Sequence, residues 1–160
     1  MTGIAQVASE VVKLNYHYEA TVQQVFEAWS NPQALSAWFG PHSHTCKIEK
    51  FDFREGGEYQ LRMVPLIKGE NSASHSDKDP ICAGQIVQIE LQKKIVMTFT
   101  WIENGSDIGE TLLTIELYPA SGGTDLIITH ERLPNNEARK AHADGWQGSL
   151  ECLEEYLDNE

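Results

Sequence analysis

The stretch from residue 28 to residue 41, AWSNPQALSAWFGP, constrains the fold more than any other part of the sequence. Asn31 can cap a helix whose first position suits Pro32, and Gly40 followed by a proline ends that helix within about two turns. A helix this short is not stable by itself in water. We therefore expect its apolar face to pack into the body of the protein. This face comprises Leu35, Trp38 and Phe39.

The order of the remaining elements follows from the spacing of apolar residues. Alternation predicts a first strand over Val11–Tyr18, and a capping-box pattern at residues 21–24 starts the helix that precedes the short one. Further strands are predicted near 45–54, 57–66, 81–90, 94–103, 110–119 and 124–133, followed by a helix over about 135–157. Most of these strands are joined by short turns, which favours an antiparallel sheet with the last helix covering one face.

Composition places the chain among ordinary globular proteins. We expect a single domain over residues 1–160, with a core from about 11 to 157. The formal net charge of −12 argues against binding to nucleic acid or to anionic membrane surfaces. One connection, over residues 67–80, is polar and longer than a normal hairpin loop, which predicts a mobile segment.

Several features favour the cytoplasm. The first ten residues lack the basic start and apolar segment of a signal peptide, and no apolar run is long enough to span a membrane. Three cysteines without a CxxC pair predict free thiols in a reducing compartment. We expect a cytoplasmic protein that is a monomer or a homodimer.

The last helix carries two stripes. Trp146, Leu150, Leu153 and Leu157 form an apolar stripe, and small residues form a second one beside it. A glycine inside a helix costs about 1 kcal/mol relative to alanine, so the two glycines of the small stripe need a compensating reason. Either a neighbouring segment approaches closely there, or space is kept open. The small stripe comprises Ala141, Gly145, Gly148, Ser149 and Cys152.

Inward-facing residues of the strands complete a candidate ligand cavity opposite the small stripe. Most of them would equally serve as plain core, but a buried Trp needs a partner for its polar atom. Small-molecule sites combine apolar walls with a few polar groups and measure about 300 Å³ or more. The candidate ligand-binding residues are Trp38, Phe39, Tyr59, Leu61, Met63, Trp101, Leu113, His130, Gly145 and Ser149.

Other polar patterns give weaker indications. His130 could orient a ligand or move a proton, or it could be a core histidine satisfied by the backbone. Arg54 and Arg62 could hold an anionic group, although exposure on the outer face of the sheet is the simpler expectation. A metal site is not expected, because the alternating set has no evident fourth ligand. That set consists of His42, His44 and Cys46.

The ordered motifs resemble the START/Bet v 1-like (SRPBCC) superfamily and, within it, the family related to the activator of the heat-shock protein 90 ATPase. The matching pieces are VFEAWSNP at 25–32, WFGP at 38–41, DFREGG at 52–57, GQI at 84–86, IVMT at 95–98, LTI at 113–115, GTDL at 123–126, His130, and GW at 145–146. This resemblance implies an α+β helix-grip fold. A seven-stranded antiparallel sheet would wrap the long C-terminal helix, with two short helices after the first strand and a pocket between sheet and helix.

The resemblance does not imply one activity. We expect a protein that binds a small apolar or amphipathic molecule in the pocket, without a cofactor or a metal. One alternative is a cyclase- or hydrolase-type enzyme that uses the same pocket. The other is a stress-response co-chaperone that binds a heat-shock ATPase through its surface, although 160 residues leave no room for the additional N-terminal domain of the eukaryotic activators.

Overall fold

The computed structural model describes residues 4–8, 11–66, 79–102 and 107–159, and for residues 4–8 the backbone alone. The predicted mobile loop at 67–80 therefore lies outside the described residues, except for its last two positions. The elements are β1 Ile4–Ala8, β2 Val11–Tyr18, α1 Val22–Ser30, α2 Pro32–Trp38, β3 His44–Phe51, β4 Glu58–Pro65, β5 Ile81–Glu90, β6 Lys94–Ile102, β7 Thr111–Ala120, β8 Gly123–Glu131 and α3 Asn136–Asp158.

The strands form one sheet in the order β1-β2-β8-β7-β6-β5-β4-β3, and every neighbouring pair is antiparallel. All seven predicted strands are present, so the predicted antiparallel sheet is confirmed. The strand β1, which sequence analysis did not assign, adds to its edge by pairing with β2.

The helix α3 packs against β2 and the short helices, which confirms the helix-grip arrangement. Its apolar stripe is directed into the core, where Trp146 is 5% exposed and Leu150 and Leu153 are fully buried. No helix among the described residues is both long and apolar enough to cross a membrane.

The two short helices are fixed at their ends by side chains. The Thr21 hydroxyl accepts a hydrogen bond from the Gln24 amide at 3.1 Å, and the Gln24 side chain accepts one from the Thr21 amide at 2.9 Å, which confirms the capping box. Asn31 Oδ1 accepts hydrogen bonds from the first amides of α2. The chain leaves α2 through Gly40, whose φ of +102° is one that side-chain-bearing residues rarely adopt. Trp38, the last residue of α2, lies in the core and is 3% exposed.

Candidate functional site

A pocket of about 250 Å³ lies between the sheet and α3, and we call it the inner pocket. Its walls are mainly aromatic and apolar, and among the described residues no Lys, Arg, Asp or Glu lines it. Its lining residues are Phe39, Gly40, Pro41, His44, Met63, Pro80, Cys82, Phe99, Trp101, Ala141, His142, Gly145, Trp146 and Ser149.

A second, much smaller space of about 20 Å³ lies deeper in the core, and we call it the small cavity. Phe39 and Phe99 line both spaces, so the small cavity and the inner pocket adjoin at these two residues. The small cavity is lined by Trp29, Leu35, Phe39, Phe51, Tyr59, Leu61, Met97, Phe99 and Leu113.

The ten candidate residues divide between these two spaces and the surrounding core. Five of them line the inner pocket: Phe39, Met63, Trp101, Gly145 and Ser149. Tyr59, Leu61 and Leu113 line the small cavity instead. Trp38 and His130 line neither space. The Trp38 indole donates to the Ala28 carbonyl at 2.8 Å, and His130 accepts a hydrogen bond from the Trp146 indole at 3.1 Å.

The two glycines in the small stripe of α3 have different surroundings: one faces open space and the other permits the close approach of a neighbouring segment. A Cβ atom built at Gly145 would meet no atom within 4 Å, so open space lies in front of that residue. A Cβ atom at Gly148 would lie 3.0 Å from the Cβ of Pro41, so that glycine permits close packing. Cys152, the last residue of the stripe, does not line the inner pocket.

This difference predicts unequal effects of alanine at the two positions. Both glycines lie inside α3, so each substitution gains about 1 kcal/mol of helix propensity. Gly145→Ala is expected to raise the free energy of unfolding by that amount. Gly148→Ala is expected to gain less, because Pro41 must move. Urea denaturation of the two variants measures the difference, and equal gains would contradict the open space at Gly145.

One buried hydrogen-bond chain starts at Trp146 and ends at the backbone of β6. Trp146 Nε1 donates to His130 Nδ1 at 3.1 Å, and an indole N–H can only donate, so Nδ1 of His130 carries no proton. His130 Nε2 therefore carries the proton and donates to Thr111 Oγ1, with 2.7 Å between the nitrogen and the oxygen. The Thr111 hydroxyl donates in turn to the Phe99 carbonyl at 2.5 Å. Every polar atom of the fully buried His130 ring is therefore occupied.

A second Trp–His pair lies in the wall of the inner pocket. Trp101 Nε1 donates to His142 Nε2 at 2.9 Å, and His142 Nδ1 donates to the Ala138 carbonyl at 2.7 Å. The centroids of the His142 and His130 rings are 5.2 Å apart. Sequence analysis missed His142, although its position four residues before Trp146 places it on the same face of α3.

Both histidines are held neutral. Burial, followed by the nearby His142, lowers the pKa of His130 from its ordinary 6.5 to about 3. Burial also lowers the pKa of His142, against the opposing effect of its bond to the Ala138 carbonyl. In the same pocket wall, burial raises the pKa of the Cys82 thiol well above its usual range. Burial also lowers the pKa of His44, so the described titratable groups of the inner-pocket wall are neutral near neutral pH.

The fourth tryptophan differs from the other three. Trp38, Trp101 and Trp146 each donate a hydrogen bond through the indole nitrogen. Trp29 is 3% exposed, and its Nε1 has no hydrogen-bond partner among the described residues. An unsatisfied buried donor costs about 1–3 kcal/mol. Trp29 thus leaves its indole donor unused, and the residue lines the small cavity.

A larger surface groove of about 600 Å³ lies outside the inner pocket, and we call it the outer groove. His42 Nε2 and Glu155 Oε2 lie 2.5 Å apart in its wall, and both side chains are more than half exposed. These polar, solvated walls are less suited to an apolar molecule than the inner pocket. The outer groove is lined by residues 36–42 and by His44, Thr45, Cys46, Cys152, Glu155, Tyr156 and Asn159.

The two arginines singled out in the sequence lie away from the inner pocket, whereas His44 lines it. Arg54 Nε donates to Asp52 Oδ2 at 2.8 Å, and Arg62 Nε donates to Glu49 Oε2 at 2.7 Å. Each guanidinium therefore already has a carboxylate partner. Within the described ranges, no group of three or more His, Cys, Asp or Glu side chains is arranged to hold a metal ion.

Comparison with known proteins agrees with this architecture. The model of the family described as Activator of Hsp90 ATPase homolog 1-like protein matches residues 19–158. A crystal structure of a Chromobacterium violaceum protein is 26% identical with a TM-score of 0.78, covering 93% of this chain and 98% of that chain. No curated protein matches the sequence significantly.

Two further solved structures have the same fold. An Arthrobacter aurescens protein is 20% identical with a TM-score of 0.81, and the match covers 100% of this chain and 92% of that one. The AHSA1 protein of Silicibacter pomeroyi is 22% identical with a TM-score of 0.75, with coverage of 92% and 97%.

Proposed function

We propose that this chain, which belongs to the family of Activator of Hsp90 ATPase homolog 1-like proteins, binds a small, neutral, apolar molecule in the inner pocket. The observation that carries this proposal is the pocket wall, which combines Phe39, Phe99, Trp101 and Trp146 with open space at Gly145. Aromatic walls with few polar groups are typical of small-molecule sites.

The charge of the ligand follows from the groups around it. Burying an ion without a partner is strongly unfavourable. Among the described residues no Lys, Arg, Asp or Glu lines the pocket, and His142 is held neutral by burial that lowers its pKa. A neutral molecule is therefore the ligand that this environment accepts.

The size of the pocket limits the ligand further. The 250 Å³ observed are below the 300 Å³ or more expected from the sequence for a drug-sized ligand. An apolar cavity of about 150 Å³ holds benzene, so in proportion this pocket suits about ten non-hydrogen atoms. A compound of two fused rings has this size.

Binding is better supported than proton transfer. An enzyme of the hydrolase or cyclase type needs titratable groups that can exchange protons near neutral pH. Both ring nitrogens of His130 and of His142 are already hydrogen-bonded, and the pKa of each is lowered by burial. These two histidines therefore support the pocket walls.

A chaperone partner is the second candidate, favoured by the description of the family. Such a partner would bind an exposed apolar or charged patch outside the inner pocket. The large hydrophobic side chains that are most exposed among the described residues lie on or directly after the strands β4, β5 and β7. They are Leu66, Val87, Leu91 and Tyr118. These four positions alone do not identify a docking patch, so the inner pocket gives ligand binding the stronger support.

Titration with tetralin, a neutral bicyclic hydrocarbon, tests the proposed function. Trp101 and Trp146 line the pocket, so tetralin is expected to change the tryptophan fluorescence, with a Kd on the order of 10⁻⁵ M for a ligand of this size. The matched control is 2-naphthoate, a bicyclic anion, which is expected to bind at least about tenfold more weakly because its charge finds no partner. Tighter binding of the anion, or no response to tetralin, would contradict the proposal.

A further inference from the structure

The unused indole N–H of Trp29 identifies one polar group of the ligand. Three of the four tryptophans donate a hydrogen bond to the protein, and Trp29 alone among them has no partner in the described residues. Its side chain is almost fully buried and lines the small cavity. A buried donor of this kind is normally satisfied in a folded protein, so a missing acceptor is a specific signal.

The small cavity is placed to receive an atom of a ligand in the inner pocket. Phe39 and Phe99 line both spaces, so the small cavity adjoins the inner pocket at these two residues. About 20 Å³ accommodates a single small group such as a carbonyl oxygen or one water molecule.

The other walls of the small cavity leave Trp29 as the available donor. Leu35, Leu61 and Leu113 are apolar, and the Tyr59 hydroxyl already donates to the Thr98 carbonyl at 2.6 Å. No cationic side chain lines the small cavity among the described residues, so a carboxylate would be unpaired there. A neutral acceptor, such as a ketone oxygen, can accept a hydrogen bond from Trp29 and needs no charged partner in the cavity.

We propose that the ligand is a neutral ring compound with one hydrogen-bond acceptor, whose oxygen enters the small cavity beside Phe39 and Phe99 and accepts from Trp29 Nε1. This proposal rests on the proposed function, because it assigns the polar end of a ligand in the inner pocket. It adds a specificity-determining residue, Trp29, which lies on α1 and is not part of the inner-pocket lining.

A comparison of 1-tetralone with tetralin tests it. The two compounds share the bicyclic skeleton and differ in one ketone oxygen. One additional hydrogen bond is expected to make 1-tetralone bind about fivefold more tightly. In protein labelled with ¹⁵N-tryptophan, 1-tetralone is expected to shift the Trp29 indole proton downfield and slow its exchange with water, whereas tetralin is not.

Two variants assign and control the effect. Trp29→Phe is expected to remove the preference for 1-tetralone while tetralin still binds. Trp38→Phe is the matched control, since the Trp38 indole already donates to the Ala28 carbonyl, and it is expected to keep the preference. If Trp29→Phe does not fold, the indole signals of the unsubstituted protein decide the question.

The outcomes separate this inference from the proposed function. Equal affinities for the two compounds, with an unchanged Trp29 signal, would overturn the role of Trp29 and leave ligand binding intact. A Trp29 indole proton that is already shifted downfield in the free protein would show that its N–H has an acceptor without any ligand, and would also overturn it. Failure of both compounds to bind would overturn the proposed function together with the inference.

Discussion

Gly145→Leu is expected to reduce the affinity for tetralin by at least about 100-fold, because the new side chain occupies the space where the ligand binds. A Cβ atom at this position meets no atom within 4 Å, so the leucine can extend into the inner pocket. The substitution also replaces a helix-interior glycine with a strong helix former, which contributes about 1 kcal/mol of stability. Loss of binding together with a higher melting temperature is the expected result.

Gly148→Leu provides the matched control for this substitution. It makes the same chemical change on the same helix, but its Cβ would lie 3.0 Å from Pro41. Overpacking of this kind typically costs about 1–3 kcal/mol, so this variant is expected to be less stable. Calorimetry and tetralin titration of both variants measure the contrast. Unchanged tetralin binding by Gly145→Leu would remove the inner pocket as the ligand site.

Acidification from pH 7 to pH 4.5 is expected to lower the free energy of unfolding by about 2–3 kcal/mol through His130 alone. In the folded protein, burial holds the pKa of His130 at about 3, whereas in the unfolded chain it has its ordinary value near 6.5. Between these two values the unfolded state binds a proton that the folded state does not. Stability therefore falls as the pH decreases through this window and is unaffected by His130 above it.

His142 is expected to lower the free energy of unfolding in acid as well, because burial also lowers its pKa. Protonation of His130 at Nδ1 would also break the hydrogen bond that Trp146 donates, so acid is expected to loosen the wall of the inner pocket.

The variant His130→Gln isolates the contribution of this residue. It is expected to be less stable at pH 7, because glutamine does not reproduce both ring contacts. Its free energy of unfolding should nevertheless fall by about 2–3 kcal/mol less than that of the unsubstituted protein between pH 7 and pH 4.5. Urea titrations at several pH values provide this comparison. Parallel pH curves for the two proteins would mean that His130 titrates normally.

The fold was predictable because its signals are local and periodic. Alternation in the strands, the caps at Thr21 and Asn31 and the apolar stripe of α3 each determine an element, and their order leaves one antiparallel sheet around one helix. The strand β1 was not predicted because its short sequence carries no distinctive pattern. It is defined by backbone pairing with β2.

The candidate site was less predictable, because sequence periodicity gives the face of a residue and not its depth. Tyr59, Leu61 and Leu113 share the inward face with the pocket residues but lie around the small cavity behind Phe39 and Phe99. The two glycines of α3 look equivalent in the sequence, yet one faces open space and the other contacts Pro41. These distinctions arise from long-range packing between α3 and the segment after α2.

The crystal structure of the protein with bound tetralin tests the central claim most directly. The account predicts tetralin in the inner pocket, in contact with the rings of Phe99 and Trp146 and with the backbone at Gly145. Tetralin in the outer groove beside Cys152 and Tyr156, with the inner pocket unoccupied, would contradict it.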